Sequence, residues 1–227
     1  MHRTAYRVDA HIGWLRALVT ALDLRETTLV CQDWGGPIGL GVLAQEPERF
    51  ARVVATNTIL HTADTSLAGA TAWALHGVEG ERRVVVQEEL LDYILMTQRF
   101  AWLPSHLLGA VSAVDGDALA AYDAPFPDES FMAGLRQMPL LIPLTRTDPG
   151  ATINAATMDA LRSWTKPFLT AYGDGDPATA GWDHVFQQAV PGTHGLDHAV
   201  IAGAGHFIQE DKPHELAQVI SNFIGSG

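Results

Sequence analysis

An α/β fold built on a parallel sheet is the architecture the sequence predicts, and three observations predict it. Short β-favouring runs alternate with helix-periodic stretches at both ends of the chain. A long helical segment interrupts that alternation in the middle. The first β-favouring run ends abruptly at Asp33, before the Gly35-Gly36 pair.

Taken in order, Ile12, Leu15, Leu18, Val19 and Leu22 recur at helical spacing, which predicts an amphipathic helix over residues 8–22 with that face buried. Residues 27–31 form a β-favouring run, 36–46 turn helical, and 52–57 read as a second buried strand. From 59 to 147 the pattern is helical with irregular joints, including the turn-rich stretch Asp123-Ala124-Pro125-Phe126-Pro127-Asp128. Alternation resumes with a helix over 154–163, a strand over 168–172, a helix over 182–190 and a strand over 198–201. The chain closes on a helix whose Leu216, Val219, Ile220, Phe223 and Ile224 share one face. The expected organisation is therefore a core of residues 1–58 and 148–227 carrying a helical cap of residues 59–147.

The 227 residues suffice for one sizeable core. With a net charge of −12 and only 14 Lys and Arg, the chain lacks the basic surface that phosphate neutralisation requires, so no nucleic-acid partner is expected. Cys31 is the only cysteine, which excludes intrachain disulfides and cysteine-cluster metal sites. No secretory h-region opens the chain and no apolar run is long enough for a transmembrane helix, so a soluble, cytoplasmic protein without membrane association is expected.

Chemistry concentrates where predicted strands end. In Leu29-Val30-Cys31-Gln32-Asp33-Trp34-Gly35-Gly36 a carboxylate stands at an abrupt strand-to-helix turn, with Cys31 and Gly35 two positions to either side. Small flanking residues let the backbone close tightly around such a turn, a nucleophile elbow with aspartate in place of serine. Helix capping alone is the simpler reading of an Asp here, but the downstream residues argue against it. An aspartyl ester needs a base to activate the water that hydrolyses it, and His206, in Gly203-Ala204-Gly205-His206-Phe207, follows a predicted strand and precedes a helix. A carboxylate must orient that imidazole. Gly173-Asp174-Gly175-Asp176-Pro177 follows another strand, and Asp176 is favoured for the role, with Asp174 as a turn former. The order nucleophile, acid, histidine is that of the α/β-hydrolases.

These motifs, with Ala121-Tyr122-Asp123-Ala124-Pro125-Phe126-Pro127-Asp128 and the run from Gly203 to Glu210, resemble the haloalkane dehalogenases, in the subfamily with an Asp, His, Asp triad. The resemblance runs through almost the whole chain and is weakest between residues 63 and 108. It implies an α/β-hydrolase fold that hydrolyses small haloalkanes with water, giving an alcohol, a proton and a halide ion. Asp33 would be nucleophile, His206 base and Asp176 its partner, with no cofactor and no metal. It also implies that Trp34 and a cap tryptophan, Trp73 or its competitor Trp102, donate indole N–H groups to the halide.

One departure from the family matters. Relatives carry a long stretch before the first helix, holding four strands and a His-Gly loop, so a sheet of about four strands and an N-terminally truncated domain are expected here. The Asp33 strand would then present an unpaired apolar edge, open to self-association. Two other functions remain open: an epoxide hydrolase, for which Tyr93 and Tyr122 are available as acids, and a truncated fragment without catalysis.

Overall fold

The structure, a computed structural model, describes residues 3–63, 112, 114–143, 145–176 and 178–225. Four strands, β1 (Thr27–Asp33), β2 (Phe50–Thr58), β3 (Phe168–Gly173) and β4 (Ala199–Ile201), form a parallel sheet in the order β1-β2-β3-β4. Each overlies the run that predicts it. The helices are α1 (Val8–Ala21), α2 (Gly41–Gln45), entered through a π-helical turn at Gly36–Leu40, α3 (Gly116–Asp123), α4 (Ala133–Gln137), α5 (Pro149–Leu161), α6 (Trp182–Ala189), α7 (Ile208–Asp211) and α8 (Pro213–Gly225).

Strand periodicity sorts the buried side chains into two layers. On β2, Val53 and Ala55 join one cluster and Val54 the other; on β3, Phe168 and Tyr172 oppose Leu169 and Ala171 in the same way. The first cluster takes Val8 and Ile12 from α1, Leu43 from α2, Met158 and Leu161 from α5, and Trp182 and Phe186 from α6. The second takes Ile208 from α7 and Leu216 from α8, with Val219, Ile220 and Phe223 packed against it. Helices thus cover both faces of β2 and β3, and the carboxyl ends of the strands are fixed relative to one another by burial on either side.

Two predicted helix faces are narrower than the sequence pattern. In α1, Val8, Ile12 and Val19 are buried, but Leu18 is 53% exposed, and Leu22, just past the helix end, is 61% exposed. No described residue covers them, because the cluster reaches only the stripe of α1 that faces α2 and α5. In α8, Ile224 is likewise 45% exposed, in the last turn beyond the edge of its cluster. The sheet ends at β1, which pairs with β2 and with no other described strand.

Between residues 59 and 147 the described residues form α3, α4 and short 3-10 turns joined by irregular stretches. Trp73, Tyr93 and Trp102 lie outside the described residues. Among the described residues no helix is long and apolar enough to cross a membrane.

Candidate active site

The site begins with the backbone of Asp33. This last residue of β1 has φ of 48°, in the left-handed region that costs a non-glycine residue about 1–2 kcal/mol. The turn is held from the neighbouring strand: the Thr58 hydroxyl, at the end of β2, donates to the Asp33 carbonyl at 2.5 Å. Gly36 makes that approach possible, since a Cβ there would lie 2.0 Å from Thr58 Oγ1. The Tyr172 hydroxyl on β3 in turn donates to the Thr58 carbonyl at 2.7 Å. Three adjacent strands thereby fix where the Asp33 carboxylate stands.

His206 sits between two carboxylates. Its Nε2 lies 3.4 Å from Asp33 Oδ1 and its Nδ1 lies 3.1 Å from Asp176 Oδ2. The exposure of the three side chains is graded: Asp33 47%, His206 19%, Asp176 1%. The outer carboxylate is thus open to a ligand and the inner one is sealed. Asp176 is saturated by further donors, accepting from the Ala178 N–H at 2.9 Å and from the Thr179 hydroxyl. Asp174 does different work, accepting the Gly203 N–H at 2.7 Å and so tying the turn after β3 to the turn after β4. The Gly175 N–H donates to the Ala204 carbonyl at 2.9 Å, and a Cβ on Gly173 would stand 2.4 Å from that same oxygen. The loops bearing Asp176 and His206 are in backbone contact. Trp34 is half-buried and packs against the first hydrophobic cluster.

A strained carboxylate, an imidazole and a second, buried carboxylate thus line up at the ends of β1, β4 and β3. Comparison with known proteins gives this arrangement a context. The family model for the alpha/beta hydrolase fold matches residues 1–213. A haloalkane dehalogenase of Psychrobacter cryohalolentis is 41% identical over 222 residues, covering 98% of this chain and 68% of that protein. The chain belongs to the haloalkane dehalogenases. One from Mycobacterium marinum is 39% identical over 215 residues, covering 95% of this chain and 67% of its own length. Among solved structures, the tetrameric haloalkane dehalogenase DpaA from Paraglaciecola agarilytica superposes with a TM-score of 0.78 at 24% identity, covering 96% of this chain and 67% of that one. The family is one of hydrolases with the α/β-hydrolase fold, and the present chain spans about two thirds of the length of these relatives.

Electrostatics follow from the line of charges. Burial opposes the imidazolium, but the hydrogen bonds to Asp176 and Asp33 and their two negative charges outweigh it and raise His206 to about 10. Burial alone would raise the Asp176 carboxyl, yet the hydrogen bond and charge of His206, with the donors Thr179 and Ala178, pull it below the usual carboxylate range. The resting site is therefore an imidazolium held by two carboxylates. Among the described residues no group of three or more His, Cys, Asp or Glu is placed to hold a metal ion.

Several residues that build this site do not stand out in the sequence. Thr179 follows Asp176 by three positions, a spacing common to local turns, and only the fold shows its hydroxyl on the carboxylate. Asn57 and Gln32 read as strand residues, whereas both side-chain amides reach the backbone of the His206 loop. A buried polar residue at the end of an apolar strand, such as Asn57, is the one signal that was available.

The imidazolium links stability to pH. Its folded value of about 10 lies above the ordinary 6.5, so its contribution is complete below 6.5 and declines as pH rises through that interval. In urea unfolding, the stability difference between the parent and His206→Phe should therefore shrink steadily from neutral pH toward 10. A difference independent of pH would contradict the charge assignment.

Proposed function

We propose that the chain hydrolyses small haloalkanes through an ester on Asp33, and the observation that carries this reading is His206 bridging Asp33 and the buried Asp176. A carboxylate oxygen of Asp33 attacks the halogen-bearing carbon in line; the new C–O bond forms as the C–X bond breaks, and halide leaves with the electron pair. The leaving anion needs donors in a dry site, and the indole N–H groups of Trp34 and of Trp73 or its competitor Trp102 would supply them.

Ester formation also prepares the second step. Alkylation cancels the charge of Asp33, so His206 loses one of the two carboxylates that hold its proton, and its proton affinity falls. The imidazolium gives that proton, the one the overall reaction releases, to solvent and becomes a base. Nε2 then takes a proton from water as the oxygen attacks the Asp33 carbonyl carbon, and Asp176 steadies the imidazolium that results. Cleavage of the acyl–oxygen bond releases the alcohol, whose oxygen came from Asp33 and whose proton is the remaining one of the attacking water. The water oxygen stays in the regenerated carboxylate.

Epoxide opening calls for a free acidic hydroxyl on the epoxide oxygen. The Tyr122 hydroxyl instead donates to the Glu210 carboxylate, and burial and that carboxylate raise it to about 12. That observation favours the haloalkane reading. The purified chain should release bromide from 1-bromobutane and form no diol from styrene oxide, with Asp33→Asn lowering bromide release by roughly 10³-fold or more. Diol formation, or bromide release that survives Asp33→Asn, would overturn the reading.

We also propose self-association through the edge of β1 that no described strand covers. An unpaired strand presents backbone donors and acceptors that a second copy can satisfy, and Val30 on that strand is 44% exposed, with Trp14 (44%) and Leu18 (53%) exposed on α1. Sedimentation velocity should show concentration-dependent association that Val30→Lys and Leu18→Lys weaken; a monomer at every concentration would refute it.

A further inference from the structure

Immediately beneath His206 its main chain is gripped by two side-chain amides from different strands. Gln32 Nε2, from the residue before the nucleophile, donates to the His206 carbonyl at 3.0 Å. Asn57 Nδ2, from β2, donates to the same carbonyl at 3.2 Å and to the Gly205 carbonyl at 2.7 Å. The Asn57 Oδ1 accepts from the Gly173 N–H at 2.9 Å, at the strand end that leads into the Asp176 loop. These partners also fix the amide's orientation, since one side must accept and the other must donate.

The backbone is distorted to make this contact. Between Cys31↔Ala55 and Asp33↔Thr58, β1 advances two residues while β2 advances three, so the register slips in the stretch that contains Asn57. Asn57 has φ of 37° and is fully buried, a conformation that asparagine tolerates better than most residues. Irregularities of this kind re-aim a side chain at the cost of regular pairing. Here the re-aimed side chain ties together the ends of β2 and β3 and the loop after β4.

We infer that Gln32 and Asn57 are positioning residues for the ester-hydrolysing step. Both lone pairs of the His206 carbonyl are engaged, which fixes the Cα from which the ring hangs. The Asp33 attack needs only the nucleophile elbow, which Thr58 and Gly36 hold independently. Ester hydrolysis additionally needs Nε2 within reach of a water while Nδ1 stays on Asp176. Loosening the clamp therefore slows the second step and spares the first.

This inference rests on the ester reading above, and rapid-quench kinetics with 1-bromobutane separate the two. Gln32→Met keeps the length and removes the donor; Asn57→Gly removes the amide and accepts the positive φ, and Gln32→Met serves alone if Asn57→Gly does not fold. Both variants should keep a bromide burst near the parent rate, while steady-state turnover falls roughly ten- to hundredfold and the Asp33 ester accumulates, as a misplaced catalytic group predicts. Equal losses in burst and turnover, or lowered thermal stability with unchanged turnover, would overturn the inference. The His206 Nδ1–H proton resonance in the resting protein reads the clamp without turnover. It should shift or broaden in both variants, and an unchanged resonance would overturn the inference whatever the chemistry. Absence of any Asp33 adduct in the parent and variants alike would count against the ester reading itself, with the resonance still deciding the clamp.

Discussion

Asp33 stands in a left-handed backbone conformation at the end of β1, and the rest of the site depends on that strained residue being held there. Left alone, it would relax into the strand or the following helix at a gain of about 1–2 kcal/mol. The restraint comes from the neighbouring strands: Thr58 on the Asp33 carbonyl, Gly36 closed against Thr58, and Tyr172 behind Thr58. A carboxylate fixed in this way cannot follow a moving partner, so the imidazole must be brought to it. The hydrogen bonds from Gly175 to Ala204 and from Gly203 to the Asp174 carboxylate, between the loops after β3 and β4, and the amides of Gln32 and Asn57 bring His206 to within 3.4 Å of Asp33.

A carboxylate, an imidazolium and a second carboxylate in line form a charge arrangement that can change in only a few ways. Asp176 is sealed and saturated with donors, so it stays ionised, and Asp33 is the partner that is open to chemistry. Whatever neutralises Asp33 weakens the hold on the His206 proton. In the proposed mechanism, the same geometry that makes the resting histidine a poor base makes it a competent one once an ester has formed. The gradient of exposure from Asp33 to Asp176 has a chemical direction.

Much of this was legible in the sequence because it rests on local patterning. The run from Thr27 to Gly36 specifies a strand, a turn and a helix without reference to anything distant, and the four strands lie where their β-favouring runs place them. The glycines around Asp174 and His206 mark turns for the same reason. What escaped depends on three-dimensional neighbours. Leu18 and Leu22 carry a helical period that would suit burial, but nothing described lies against them, and periodicity cannot report a missing partner. Asn57 and Thr179 act through hydrogen bonds across the sheet and around a loop, and their spacing in the chain carries no trace of it. Trp73 and Trp102, expected as halide donors, lie outside the described residues.

In the proposed mechanism Asp33 is the nucleophile and His206 the base of a separate, later step. Replacing His206 by Phe removes the base and leaves the elbow intact, so incubation with 1-bromobutane should release one equivalent of bromide and leave a butyl group on the protein. Peptide mass spectrometry should locate that group on Asp33. An unmodified protein after halide release, or an adduct on any other residue, would contradict the two-step assignment.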